Sequence, residues 1–435
     1  MKYYSLNKGS VLAGFREAVI NGQAPDGGLY FPRSIPKMDA GFLRQLKNKS
    51  KAQIAYQVMR HYVGDDMPAE VLFDACAAAV DFDIPLVKLD ENIFSLELFH
   101  GPTLAFKDVG ARFMSACLAY FFRKQKWKVT VLVATSGDTG GAVANAFMGV
   151  EGVDVFILYP SEKVSEWQEL QLTTLGKNVT AVQVNGTFDD CQRMMKQAFL
   201  DRDLNEKLHL SSANSINVGR WLPQQFYYYC ALQHWPYEEP PAISVPSGNL
   251  GNLCAGLLAQ AGGLPVKHFI AACNANDVFT EYVHTADFSP KPAVQTVSNA
   301  MDVGDPSNFR RALQIFNNDH LQMRSMLSSF SINDELTRQT ISEVYNKYEY
   351  VCDPHGAVAY YMLHKHLEQH PGRKGIFLET AHPVKFQNTV ERAIATEVTV
   401  PQSLQLMSKK KKRSIKMNAD FSSLKELLLY QEQPV

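Results

Sequence analysis

The sequence predicts an α/β protein with mainly parallel sheets, preceded by a mainly helical region. From about residue 91 onward strand-like and helix-like stretches alternate, the pattern that packs helices on the faces of a parallel sheet. Several strands, 129–134 and 153–159 among them, are almost continuously apolar, as strands covered on both faces are. At 435 residues the chain also exceeds one ordinary core, so two or three domains are expected.

Before residue 81 two apolar stripes read as helices: Leu12, Phe15, Ala18 and Val19 on one, and Ile54, Tyr56, Val58, Met59 and Tyr62 on the other. Between them Pro25, Asp26, Gly27 and Gly28 mark a turn leading into an extended run at Leu29-Tyr30-Phe31-Pro32. Residues 81–90, with Ile84-Pro85, read as the crossing into the next domain. The run 94–98 is a strand, Gly101-Pro102 breaks it, and a helix follows through Val109, Phe113 and Met114. Further strands are expected at 179–184, 242–245, 268–272 and 376–380, and helices at 142–148, 190–200, 253–261 and 334–348. In the tail, the basic run 409–413 reads as a solvated loop, and Asp420 caps an amphipathic helix containing Leu424, Leu427, Leu428 and Leu429.

Lys and Arg (43) nearly balance Asp and Glu (44), which gives no support to nucleic-acid or membrane binding and points to a small-molecule partner. The N-terminus has no apolar leader and no run approaches the roughly 18 apolar residues of a membrane span, so a cytoplasmic protein is expected. The seven cysteines are scattered and never spaced Cys-x-x-Cys, as reduced, buried small hydrophobes would be. His366 and His370 stand at i, i+4 without completing His-Glu-x-x-His, and Pro371 ends the segment. They read as solvated histidines at a helix end, and no metal site is expected.

One lysine at a helix start and three strand ends carry the chemistry. Lys107 follows Leu104-Ala105-Phe106 at a helix start, where burial would lower its pKa and make it a Schiff-base candidate; otherwise it is a lysine snorkelling to the surface. Thr135-Ser136-Gly137-Asp138-Thr139-Gly140-Gly141 and Pro246-Ser247-Gly248-Asn249-Leu250-Gly251-Asn252 each join a strand to a helix through glycines and polar side chains. Such turns are plain connections or anion sites at helix N-termini, and two in one chain point to two phosphate-sized groups near one crevice. Neither fits a nucleotide-binding pattern. Thr380 ends the apolar strand Ile376-Phe377-Leu378-Glu379, placed either to cap a turn or to hydrogen-bond a ring nitrogen in the crevice.

Read together, the segments 99–108, 135–140, 246–252 and 380–386 resemble the signature segments of the threonine synthase family, in its order and at about its spacing. The resemblance extends through 26–30, 212–217, 298–302 to Phe309, and 353–355, and so over nearly the whole chain. It implies a pyridoxal 5'-phosphate enzyme of fold type II that converts O-phospho-L-homoserine and water to L-threonine and phosphate. It also implies two open, mainly parallel three-layer α/β subdomains, a large one over 91–110 and 211–400 and a small one over 111–210. These follow a mainly helical N-terminal domain over 1–90 and precede a basic loop and C-terminal helix over 401–435. By the family pattern Lys107 is the Schiff-base lysine, Gly248, Asn249, Leu250, Gly251 and Asn252 cradle the cofactor phosphate, and Thr380 bonds the pyridine nitrogen. Leu250 stands where the family usually has phenylalanine, a change that a cradle of backbone N–H groups tolerates. The loop of Ser136, Gly137, Asp138 and Thr139 resembles the one that receives the substrate carboxylate, and Lys163 and Arg220 are candidates for the substrate phosphate.

Two rival readings keep much of this pattern: a related lyase acting on another phosphorylated hydroxy amino acid, and a non-catalytic sensor of a phosphorylated metabolite. Lys107 beside two anion loops speaks against the sensor, which has no need of the lysine. A monomer or weak homodimer is expected.

Overall fold

The computed structural model describes residues 1–125, 127–161 and 164–430. In chain order the strands are β1 (Tyr3–Ser5), β2 (Tyr30–Pro32), β3 (Leu86–Lys88), β4 (Ile93–Glu97), β5 (Val129–Ala134), β6 (Val153–Pro160) and β7 (Val179–Asn185). They continue with β8 (His209–Ser212), β9 (Ala242–Pro246), β10 (His268–Cys273), β11 (Leu327–Ser331), β12 (Gly375–Glu379) and β13 (Ile415–Asn418). β1 and β2 form a small antiparallel pair among the N-terminal helices. A six-stranded sheet runs β11-β10-β9-β12-β4-β3 and a five-stranded sheet runs β13-β7-β6-β5-β8.

Every pairing in the two larger sheets is parallel except β3 with β4. The continuous apolar runs account for this: β5 and β12 are buried at every position, so both faces must be covered by helices. β12 lies between β4 and β9, with Ile376 opposite Phe94 on one side and Ile243 on the other. The carboxyl ends of β4, β9 and β12 therefore stand side by side. That is where a parallel sheet presents ligand-binding loops.

The expected strands and helices lie within a few residues of their observed positions, and the helix Asp334–Tyr348 has the bounds expected of it. All seven cysteines are free and buried. Three points differ. The first helix begins at Phe15, and Leu12 lies outside it and is exposed, because Gly14 forms the cap. The tail supplies a strand as well as a helix: β13 extends the five-stranded sheet, and Leu424 and Leu428 pack into the cluster of Met194, Met195 and Leu204. Asp420 does cap that helix, accepting from the Ser423 N–H at 3.0 Å. His366 is 5% exposed rather than solvated, because its ring is stacked between His268 and His370. No helix among the described residues is long and apolar enough to cross a membrane.

Candidate active site

Lys107 is the first residue of the helix Lys107–Phe122. The turn before it is held from several directions. Leu104 adopts the left-handed region at φ 57°, a strained setting for a branched residue. The Phe106 N–H donates to the Thr380 carbonyl at 2.9 Å, and the His382 N–H donates to the Leu104 carbonyl at 3.0 Å. Asp108 closes the turn by accepting from the Thr103 N–H (2.9 Å) and hydroxyl (2.6 Å), and the Tyr227 hydroxyl donates to the Phe106 carbonyl. The segments that carry Lys107 and Thr380 are thus bound to each other.

The Lys107 ammonium has no hydrogen-bond partner among the described residues and lies 5.5 Å from the centre of the Phe106 ring. Burial lowers its pKa below the ordinary lysine value; the Asp138 carboxylate opposes the shift, and the Lys385 and Arg220 cations reinforce it. A lysine in this setting surrenders its proton readily, as a Schiff-base amine must.

After β9, Ser247 is fixed by its N–H to Ala272 and its hydroxyl to the Val245 carbonyl, both at 2.8 Å. The next five N–H groups, from Gly248 to Asn252, have no acceptor among the described residues, and the helix Gly251–Ala261 begins within them. Five free donors at a helix N-terminus form an anion cradle. Its shape is set by neighbours: Asn249 Nδ2 donates to Ser215 Oγ at 2.7 Å, and Asn249 Oδ1 accepts from the Ser307 N–H at 2.6 Å. A Cβ at Gly248 would come within 2.6 Å of the Met301 Cα, so the turn has no room for a side chain there. Leu250 takes φ 60°, its side chain is buried, and its N–H remains free, so the leucine leaves the cradle intact. Thr380, at the end of β12, has a hydroxyl without a partner among the described residues. The free lysine, the cradle and this hydroxyl fit the aldehyde, phosphate and pyridine nitrogen of pyridoxal phosphate.

The 135–140 loop follows β5 in the other sheet. Thr135 Oγ1 accepts from the Gly137 and Gly140 N–H groups, each at 2.9 Å, and the N–H groups of Ser136, Asp138 and Thr139 remain free among the described residues. Gly137 has φ 142°, and a Cβ there would lie 2.4 Å from the Gln168 side chain. Asp138 differs from its neighbours: it is 3% exposed, bound to Lys385 Nζ at 2.7 Å and to Gln168 Nε2 at 3.0 Å. Burial would raise its pKa, but the Lys385 and Lys107 ammoniums hold it well below the usual carboxylate range.

Arg220 is 3% exposed, its guanidinium donates to the Ala213 carbonyl, and burial pushes its pKa down to about 10. It stands close enough to Lys107 to affect that amine. Lys163 lies outside the described residues.

The sequence reasoning passed over Gln168, Lys385, Asp353 and His355 as individual residues. Asp353 accepts from the Ala381 N–H at 3.3 Å and pairs with His355 Nδ1, while His355 Nε2 accepts from the Ala300 N–H at 3.2 Å. The pair braces the Thr380 turn against the loop that packs on Gly248. A polar dyad within an otherwise apolar helix start, Asp353-Pro354-His355-Gly356-Ala357, was the available signal.

A free lysine, an anion cradle and an unpartnered hydroxyl beside one another at the carboxyl edge of a mainly parallel sheet fit a pyridoxal-phosphate-dependent α/β enzyme. A family model described as pyridoxal-phosphate dependent enzyme matches residues 82–378. Models described as threonine synthase N terminus and threonine synthase C-terminal match residues 2–80 and 356–428. A threonine synthase of Serratia marcescens is 41% identical, covering 99% of each chain. The crystal structure of threonine synthase from Escherichia coli superposes with a TM-score of 0.93 at 40% identity, covering 99% of this chain and 100% of that one. A PLP-bound threonine synthase from Brucella melitensis gives a TM-score of 0.91 at 32% identity and full coverage of both. The chain belongs to the threonine synthase family, pyridoxal-phosphate-dependent lyases of threonine biosynthesis.

Proposed function

We propose that this site converts O-phospho-L-homoserine and water to L-threonine and phosphate. The observation that carries the residue assignment is the unpartnered Lys107 ammonium on one strand end, with the free 248–252 donors and the Thr380 hydroxyl on its neighbours. Pyridoxal phosphate, when bound, supplies the electron sink for carbanion chemistry at the substrate. Lys107 holds it, and the depressed amine pKa lets Lys107 Nζ take the proton from substrate Cα and then serve Cβ. The N–H groups of Gly248 to Asn252 anchor the cofactor phosphate, and Thr380 offers a neutral hydroxyl to the pyridine nitrogen. Ser136 and Thr139, both partly exposed, offer hydroxyls and N–H groups to the substrate carboxylate. Lys163 and Arg220 are assigned to the substrate phosphate, Arg220 through its buried, unpaired Nε.

In the net reaction the Cγ–O bond breaks and phosphate leaves, one Cβ–H bond breaks and Cγ gains a proton in its place, and water gives its hydroxyl to Cβ and its remaining proton to the departing phosphate. The test is phosphate release and product identification with O-phospho-L-homoserine and the holoenzyme. Stoichiometric phosphate and threonine are expected. Phosphate accompanied by a keto acid and ammonia would assign the related lyase instead.

A further inference from the structure

We propose that Lys385 is a positioning residue that makes the 135–140 loop able to accept the substrate carboxylate by cancelling the charge of Asp138, and that it does so only when the two sheets are docked together. The proposal rests on the assignment of that loop to the carboxylate.

The helix Asp138–Phe147 opens on an acid. Its N-terminus would attract an anion through free N–H groups and the helix dipole, but an uncompensated carboxylate in the first turn opposes both. Ser136 and Thr139 are partly exposed and their hydroxyls have no partner among the described residues, so the donors of the loop are available while its one negative charge is turned inward. The Lys385 ammonium meets that charge at 2.7 Å, and both side chains are almost wholly buried, at 0% and 2% exposure. An ion pair so enclosed is screened little by solvent, and removing one partner leaves a buried charge.

The two partners come from different halves of the molecule. Lys385 follows β12 of the six-stranded sheet, whereas Asp138 follows β5 of the five-stranded sheet. Lys385 also donates to the Thr103 carbonyl at 2.8 Å, and Gln171 Nε2 donates to that same oxygen at 2.9 Å. Thr103 belongs to the turn that places Lys107, so the ammonium joins the carboxylate loop, the Lys107 turn and the segment after Thr380. Separating the sheets would expose the Asp138 charge beside the loop; docking them removes it.

The test is steady-state kinetics with O-phospho-L-homoserine, together with titration of the holoenzyme by L-threonine, followed by the absorbance of the bound cofactor. Lys385→Met should raise KM and the L-threonine dissociation constant by about tenfold or more, with a smaller fall in kcat. Asp138→Asn in the same chain should bring both down by about fivefold or more from their Lys385→Met values, because the charge that required Lys385 is gone. Unchanged values in folded Lys385→Met, or values still raised about tenfold in the double variant, would overturn the proposal. Should Lys385→Met fail to fold, the double variant carries the test alone, since it buries no unpaired charge. A holoenzyme with no substitution that released no phosphate from O-phospho-L-homoserine would refute the proposed reaction; failure of the Lys385 proposal shows only in the variants.

Discussion

The roles proposed for Lys107 and Thr380 each rest on a single atom, so each can be tested by removing that atom. Lys107→Ala removes the amine to which both cofactor attachment and Cα proton transfer are assigned in the proposal, and turnover should fall by at least about a hundredfold. The turn that places it is closed by Asp108, Tyr227 and the Thr380 carbonyl, none of which needs the amine, so the far-ultraviolet circular dichroism should be unchanged. Threonine formation at an undiminished rate would remove Lys107 from its role. Thr380→Val keeps the shape of the side chain and the backbone carbonyl that binds Phe106 while deleting the hydroxyl. The rate of phosphate release should drop by about tenfold or more while the melting temperature moves little, because that hydroxyl has no partner within the described protein.

At the scale of an element, the turn from β9 into the helix Gly251–Ala261 shows how closely a backbone site depends on packing. Gly248 abuts the Met301 backbone, and a Cβ there has no space to enter. Gly248→Ala should displace the N–H groups that form the cradle and weaken pyridoxal phosphate binding by about tenfold or more, read as the dissociation constant from fluorescence quenching. The protein should remain folded, since the displaced residues lie at a turn and not inside β9. Binding as tight as in the unmodified protein would show that the cradle lies elsewhere. The Met301 segment is itself tied down, because the Ala300 N–H donates to His355 and His355 is paired with Asp353. Burial would raise the Asp353 pKa, but the neighbouring His355 ring outweighs it and keeps the carboxylate below its ordinary value. Burial, with the Asp353 carboxylate adding to it, raises the Glu379 carboxyl well above its ordinary value.

For the whole molecule, the consequence most open to measurement is pH-dependent stability. The stacked His268 and His366 rings tie β10 to the helix Pro354–Gln369. Burial, with Arg373 and the neighbouring histidines adding to it, pushes both pKa values down to about 4. The unfolded chain takes up these protons near pH 6.5. The folded state therefore binds fewer protons between about pH 6.5 and 4, and the stability present above pH 6.5 is lost as pH falls through that interval. After allowance for partial solvent access, unfolding by urea should show a loss on the order of 2 kcal/mol from pH 7 to pH 5. The loss should shrink in His366→Gln. A loss as large in His366→Gln as in the unmodified protein would show that the stack is not titrated on unfolding.

The sequence by itself determined the class and most of the chemistry. Continuous apolar runs such as 129–134 permit only strands covered on both faces, and the glycine-rich turns after them act through backbone N–H groups that any correct fold would expose. Lys107, the 248–252 turn and Thr380 were legible as candidates because each lies in a local segment after a strand, and the cofactor roles proposed for them came with the family resemblance. Tertiary structure decided what depends on pairing across the chain. The Lys385 to Asp138 contact joins residues 247 positions apart (385 − 138), and no local pattern encodes it. The burial of His366 was hidden in the same way, because its partner His268 lies on a different strand and the helix end alone looked solvated. The tail's strand was missed because β13 has only four residues, three of them exposed, too short a run for its apolar-polar alternation to stand out beside a basic loop, so its pairing with β7 supplies what its own residues do not. Local propensity and backbone geometry are written residue by residue, whereas the neutralisation of a buried charge depends on where the folded chain places its partner.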